Sequence, residues 1–274
     1  MRFAKMHGLG NDFMVIDGVR QDLTLSPDII RQWSQRHTGV GFDQCLVVES
    51  SNQPGIDFHY RIFNADGNEV YQCGNGARCL ARFIHMTGLS SKNPIIVATK
   101  TTQMQLTINE DNQVAVQLPP PKWTPDEIPC LANTEQEHYA IDIDGHLVTF
   151  YAVSVGNPHA VLTVEDINKA PVATLGKQLS EHAFFPNQVN VGFLQISRPG
   201  QLLLRVYERG CGETQACGSG AMAAAVVARR YLHQPKSMTV VLPGGQLTID
   251  QEDPQAPITM TGPATFVYQG ELLL

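Results

Sequence analysis

No run of eighteen apolar residues occurs anywhere in the chain, which argues against a membrane-spanning helix. Cys-x-x-Cys and close cysteine–histidine spacings are also missing, so no metal site is expected. Lysine and arginine nowhere cluster, and 19 basic against 26 acidic side chains leave a net charge of −7. That balance argues against a nucleic-acid partner. The opening MRFAKMHGLGNDF carries neither a long apolar segment nor a small-residue cleavage site, and a soluble, cytoplasmic protein without membrane contact is expected. In that compartment the six cysteines are expected as reduced thiols rather than as a disulfide framework. Apolar residues are plentiful: at 43% of 274 residues they suffice for one large core or two ordinary ones.

The chain repeats itself. RIFNADGNEVYQCGNGARCLA, residues 61–81, lies without a gap on RVYERGCGETQACGSGAMAAA, residues 205–225, with identities at Arg61/Arg205, Glu69/Glu213, Cys73/Cys217, Gly74/Gly218, Gly76/Gly220, Ala77/Ala221 and Ala81/Ala225. GNDFMVI at 10–16 falls on GNPHAVL at 156–162, and LTINEDNQVAVQLPPP at 106–121 resembles LTIDQEDPQAPITMTGPA at 247–264. The Pro-rich LPPPKW at 118–123 ends regular structure and marks a boundary. The reading is a first lobe over 1–118, a second over 119–262, and a terminal strand over 263–274 returning to the first. Short β-branched runs such as PIIVATKTTQMQLTI and SMTVVLPGGQLTI suit antiparallel hairpins. One helix follows the cysteine in each lobe. ARCLARFIHMTG carries a stripe of Ala77, Leu80, Ala81 and Ile84 and stops at Gly88, whereas AMAAAVVARRYL is apolar all round until Arg229. The expected fold is therefore α+β, two pseudo-symmetric lobes from an internal duplication, each with mainly antiparallel strands wrapped around a central helix.

Cys73 and Cys217 both stand where a helix begins. Unpaired N–H groups and the positive end of the helix dipole favour thiolate there, so both thiol pKa values are expected to fall. Glycines flanking Asn75 and Ser219 let the backbone approach an anion such as a carboxylate. If the lobes pack with pseudo-twofold symmetry, the two thiols face each other across the α-carbon of that carboxylate. Acid/base groups on opposite faces of one carbon are what stereoinversion requires. Cys45, Cys79, Cys130 and Cys211 are expected to be small packed hydrophobes. Among the histidines His159 stands apart, because the repeat puts it in a glycine–asparagine turn.

Taken together, KMHGLGNDF, GFDQ, FNADGNEVYQCGNGARC, VSVGNPH, RVYERGCGETQACGSGA, LPGGQLTI and MTGPATFVY resemble the diaminopimelate epimerase family, and the resemblance spans the whole chain. It implies a cofactor-independent isomerase that interconverts LL- and meso-diaminopimelate by two-base chemistry, in lysine and peptidoglycan precursor synthesis. It implies Cys73 and Cys217 as the acid/base pair, with His159 and Glu208 tuning their protonation. The implied substrate site comprises Asn11, Gln44, Asn64, Gly74, Asn75, Asn157, Asn190, Glu208, Arg209, Gly218 and Ser219. It further implies no metal, no cofactor, and a homodimer with Tyr268 at the contact. Cys211, Tyr71 and Leu80 depart from the family's usual residues. The repeat breaks at Asn64/Glu208 and Ala65/Arg209, and this asymmetry suits an asymmetric ligand, with Arg209 for a distal carboxylate and Asn64, Asn157, Asn190 and the Glu208 region for a distal amine. Two rival readings share these features: a proline-racemase-like enzyme, and a non-catalytic ligand-binding or thiol redox-sensing protein. Solvent hydrogen exchange at the substrate α-carbon separates the three.

Overall fold

The computed structural model describes residues 1–70 and 73–273; Tyr71 and Gln72, beside the first cysteine motif, lie outside the described residues. The chain divides into two compact units, residues 1–117 with 261–274, and residues 118–260.

In the first unit β1 (Arg2–Gly8), β2 (Asn11–Asp17), helix α1 (Pro27–Ser34), β3 (Gln44–Ser50), β4 (Phe58–Asn64), β5 (Glu69–Val70), helix α2 (Gly74–Met86), β6 (Ile95–Ala98), β7 (Gln103–Ile108) and β8 (Val114–Leu118) follow one another. Alternation sets the strand faces: Met104 and Leu106 of β7 and Val114, Val116 and Leu118 of β8 are buried, while Gln103, Gln105 and Gln117 are exposed. Helix α1 starts on Ser26, whose hydroxyl accepts from the Ile29 N–H, and Pro27 fits the first turn. Its Ile30 and Trp33 close a core with Phe3, Met14, Ile16, Cys45, Val47 and Phe63. Helix α2 packs against β1, β2, β3 and β7. Ala77, Leu80, Ala81 and Ile84 are fully buried on it, and Gly88 takes the left-handed φ of +63° that ends it.

The second unit runs through β9 (Tyr139–Ile143), β10 (His146–Ser154), β11 (Pro158–Thr163), a 3₁₀ turn (Ile167–Lys169), helix α3 (Leu175–Ser180), β12 (Asn190–Arg198), β13 (Gln201–Glu208), β14 (Gly212–Thr214), helix α4 (Gly218–Tyr231), β15 (Ser237–Leu242), β16 (Gly245–Asp250) and the start of β17 (Ile258–Gly262). The chain then returns to the first unit as β18 (Thr265–Glu271), which pairs antiparallel with β1. Helix α4 is buried from Gly220 to Ala228 and packs on β10, β11, β12, β13, β15 and β16. An Ala/Val helix enclosed this way derives its stability from tertiary burial, at roughly 0.8 kcal/mol per buried methylene, more than from capping or propensity.

The duplication shows in the order of strand pairings. In the first unit β1–β2 is antiparallel, β2–β3 parallel, β3–β4 and β4–β5 antiparallel, β4–β6 parallel and β6–β7 antiparallel. In the second, β10–β11, β11–β12, β12–β13, β13–β14, β13–β15 and β15–β16 follow the same succession. The fold is α+β, two units of mainly antiparallel strands around a central helix, with two parallel neighbours in each that strand composition alone does not reveal.

One packing expectation is overturned. Cys45, Cys79 and Cys130 are buried, but Cys211 is exposed. It sits in the turn between β13 and β14, flanked by Gly210 and Gly212 with φ of +75° and +81°, where the chain reverses at the surface.

Candidate active site

Each central helix begins on a thiol. Cys73 caps α2 in an extended conformation, φ −154° and ψ 105°, and its Sγ accepts the Gly76 N–H at 3.3 Å. Cys217 caps α4 with φ −117° and ψ 106°, and its Sγ accepts the Gly220 N–H at 3.3 Å. The glycines are dictated by space. A Cβ on Gly76 would stand 2.9 Å from the Tyr60 hydroxyl, and one on Gly220 would stand 2.9 Å from Val206 Cγ2.

Around Cys73 the polar groups form a chain of amides. Asn11, at the start of β2, donates through Nδ2 to Asp43 Oδ2 at 2.9 Å, which leaves its Oδ1 to accept from Asn75 Nδ2 at 3.3 Å. The same oxygen lies 4.0 Å from Cys73 Sγ. Asp43 and Asp12 are clamped together by Arg36. Burial raises the Asp12 carboxyl, but Arg36 and Lys5 outweigh it and hold the pKa at about 2. Gln44, beginning β3, stands opposite Asn64, ending β4, and donates from Nε2 to Asn64 Oδ1 at 2.9 Å. Among the described residues its buried Oε1 has no hydrogen-bond partner. Gly74 and Asn75 form the buried first turn of α2.

Around Cys217 the surroundings are acidic and closed. The thiol is 3% exposed, with Ser219 Oγ at 3.6 Å and the Glu208 side chain hydrogen-bonded to it. Burial, then the Glu208 charge, push this thiol well above the usual range; the Ser219 hydroxyl and the Gly220 N–H pull the other way and lose. The expectation that the helix entrance lowers both thiol pKa values is therefore wrong for Cys217, where desolvation and a neighbouring anion exceed the pull of the helix end. Glu208 is itself held by the Thr214 hydroxyl at 2.5 Å.

Asn157 donates from Nδ2 to Ser219 Oγ at 3.2 Å, so its Oδ1 must accept from His159 Nε2 at 3.1 Å. The His159 ring is fully buried, and burial, aided by the Arg209 charge, lowers its pKa to about 3. It is therefore neutral, protonated on Nε2, with an unprotonated Nδ1 that is buried and has no hydrogen-bond partner among the described residues. Asn190, paired with His159 across β11 and β12, uses its amide on the backbone: Nδ2 donates to Pro158 O and Oδ1 accepts the Arg209 N–H. It thereby fixes the turn carrying Arg209, whose exposed guanidinium donates from Nη1 to Asn187 O at 2.8 Å. Gly218 completes the first turn of α4.

The first unit thus assembles Asn11, Cys73 and Asn75, with Gln44 and Asn64 paired beside Asp43. The second assembles Asn157, His159, Asn190, Glu208, Arg209, Cys217 and Ser219. Asp43, Thr214 and Arg78 also belong to these networks, Arg78 by donating from Nη2 to Asn75 Oδ1 at 2.9 Å, and none of the three is among the residues expected from the sequence. For Arg78 a signal existed, because the repeat sets it against Met222, an apolar residue. A cavity of about 520 Å³ in the first unit, lined in part by Arg2, Arg20, Phe83, Met86 and Phe266, holds none of the candidate residues, so concavity alone would mislead there. Among the described residues no three His, Cys, Asp or Glu side chains gather to hold a metal ion, and no helix is long and apolar enough to cross a membrane.

The family model for diaminopimelate epimerase matches residues 3–124 and 151–267. A diaminopimelate epimerase of Legionella pneumophila strain Corby is 58% identical over 274 residues, covering 100% of this chain and 99% of that protein. One from Pseudomonas syringae pv. tomato is 53% identical with the same coverage. Among solved structures, a probable proline racemase from Agrobacterium radiobacter superposes with a TM-score of 0.72 at 14% identity, covering 100% of this chain and 93% of the other. A PhzF-family phenazine biosynthesis protein from Bacillus anthracis gives 0.70 at 17%, covering 100% and 99%. These two likenesses concern the fold; sequence identity along the entire chain assigns the family. The chain belongs to the diaminopimelate epimerase family.

Proposed function

We propose that the protein is a cofactor-independent isomerase interconverting LL- and meso-diaminopimelate in lysine and peptidoglycan precursor synthesis, with Cys73 and Cys217 as its two acid/base groups. The observation that carries this reading is the repeated cap: in both units a thiol accepts the N–H of the glycine three residues on, at the mouth of a buried helix. Backbone N–H groups at such a helix mouth suit a carboxylate, and they stabilise negative charge as it develops on that group. One thiolate takes the α-proton and becomes a thiol, the electron pair delocalises onto the carboxylate, and the opposite thiol gives its proton to the other face and becomes the thiolate. Cys217, kept protonated by burial and Glu208, suits the donor in one direction.

The remaining candidates serve recognition and tuning. Arg209 has no ion-pair partner among the described residues and donates only from Nη1 to a carbonyl, which suits a distal carboxylate. The unpartnered Oε1 of Gln44 suits a substrate N–H, and Asn64 is oriented beside it. The unprotonated, unpartnered Nδ1 of His159 suits accepting a hydrogen bond, from a thiol or from substrate, rather than taking the proton itself. Tyr268, on β18 with its ring 6.1 Å from that of Phe3, is 44% exposed next to Val267 at 52%, an apolar pair suited to a homodimer contact. The cytoplasm, which keeps thiols reduced, is the compartment in which this chemistry survives. Incubation in deuterated water tests the reading. Deuterium is expected at the α-carbon of diaminopimelate and not of proline; exchange into proline at a comparable rate, or none into diaminopimelate, would remove it.

A further inference from the structure

Arg78 is among the largest fully buried side chains in the chain, yet it belongs neither to the apolar stripe of α2 nor to the residues proposed to bind substrate. Taking a guanidinium out of water is costly unless its donors are satisfied, so its bonds identify its task. Nη2 donates to Asn75 Oδ1 at 2.9 Å and Nε donates to Pro263 O at 3.1 Å. With its oxygen taken, Asn75 can only offer Nδ2 to Asn11, and Asn11, tied to Asp43 at the other end, can only offer Oδ1 in return. The relay therefore runs with one polarity from a buried cation to a carboxylate, passing Cys73 at Asn11 Oδ1.

We propose that Arg78 is the positioning residue of the Cys73 thiol, fixing the Asn75–Asn11 amide pair beside the sulfur and keeping a positive charge in its field as it ionises. The proposal deepens the two-thiol reading and rests on it. Burial lowers the Arg78 pKa to about 10, which still leaves it charged at neutral pH, and Cys79 and then Cys73 are the thiols whose charge it feels. Of these, Cys79 is fully enclosed, and burial raises it to about 12 although Arg78 pulls it down, whereas Cys73 stands half-buried at the helix mouth with the relay beside its sulfur. The repeat supplies the contrast: at the position matching Arg78, α4 carries the fully buried Met222.

The test uses no substrate for its first readout, so it is independent of whether diaminopimelate is the ligand. In the full-length protein, alkylation of Cys73 and Cys217 by iodoacetamide is followed against pH by peptide mass spectrometry. Arg78→Met, a side chain that the matching site in α4 already accommodates, is expected to raise the midpoint for Cys73 by about one pH unit or more, the usual effect of removing an opposite charge, while Cys217 moves far less. A Cys73 midpoint that moves no more than that of Cys217 would overturn the proposal. Gly8→Ala separates the fork from the charge and decides the matter if Arg78→Met does not fold. A Cβ there would stand 3.0 Å from Arg78 Nη2 and 3.4 Å from Asn75 Cβ, so the fork and Asn75 must give by a few tenths of an ångström while the cation stays. It is expected to lower kcat for epimerisation about tenfold, an effect of misplacement alone, with the Cys73 midpoint nearly unchanged. Wild-type kcat in Gly8→Ala would show that the fork positions nothing.

Discussion

The two helix entrances share one backbone and differ in almost every side chain around the sulfur. Both thiols cap their helix by the same N–H bond, and both need a glycine three residues on. Beyond that, Cys73 is half-buried beside an amide relay that ends on the buried Arg78, whereas Cys217 is enclosed beside the carboxylate of Glu208. Three pairs related by the repeat make the difference: Asn64 against Glu208, Asn75 against Ser219, and Arg78 against Met222. The polarity of the neighbouring asparagine is inverted as well. Asn11 turns its oxygen toward the helix and its nitrogen toward Asp43, while Asn157 turns its nitrogen toward Ser219 and its oxygen toward His159. Duplication thus repeats where a thiol stands, and divergence decides what surrounds it, which at Cys217 keeps the proton on the sulfur. The proposed two-base chemistry, with one thiol and one thiolate at a time, calls for such inequality.

The largest effects are expected where the repeat is exact. Cys73→Ala and Cys217→Ala should each lower epimerisation by about a thousandfold or more with thermal stability nearly kept, since the proposed chemistry gives each sulfur its own face of the α-carbon; appreciable turnover by either variant would show that the two sites are not both required. Next comes the place where the repeat breaks to an arginine. Arg209→Met should lower kcat/KM for diaminopimelate roughly ten- to a hundredfold, the worth of a charge-assisted bond, while alkylation of both cysteines proceeds as before. Unchanged kcat/KM would return Arg209 to the role of a surface side chain.

A smaller effect concerns stability. His159 is neutral in the fold with a pKa of about 3 against an ordinary 6.5, so the unfolded chain binds its proton first as pH falls. Its contribution is complete above about pH 6.5 and drains away toward pH 3. Asp12, held at about 2 against 3.8, adds its loss only below pH 4. The matching residue in the first unit is the fully buried Phe13. His159→Phe should therefore flatten the fall in urea midpoint between pH 7.5 and pH 5, and a fall as steep as that of the wild type would contradict the burial argument. Least of all should Cys211→Ser matter: an exposed turn residue outside both sulfur sites is expected to change stability by less than about 0.5 kcal/mol and kcat hardly at all, as thermal melts and turnover would show.

The duplication and both helix caps were legible because they are local: an ungapped register of residues 61–81 on 205–225 carries each cysteine to the same turn. The parallel neighbours β2–β3 and β11–β12 were not legible, because an apolar run such as CLVV reads the same in either direction. Arg78 was hidden by its type, since an arginine in a helix is ordinarily placed at the surface, and only its apolar counterpart Met222 hinted at enclosure. The rise at Cys217 is hidden from the sequence for a related reason. Helix-end stabilisation follows from sequence position, but the competing burial and the approach of Glu208 are set by tertiary packing.

The central claim, that the two unequal thiols act on opposite faces of one α-carbon, is tested most directly by a single passage of LL-diaminopimelate in deuterated water, stopped at low conversion. Two separate bases require deuterium at the inverted α-carbon of the meso product and protium retained in the recovered LL substrate. Deuterium accumulating in recovered LL substrate as fast as in product would mean that one group both removes and returns the proton, and it would contradict the account.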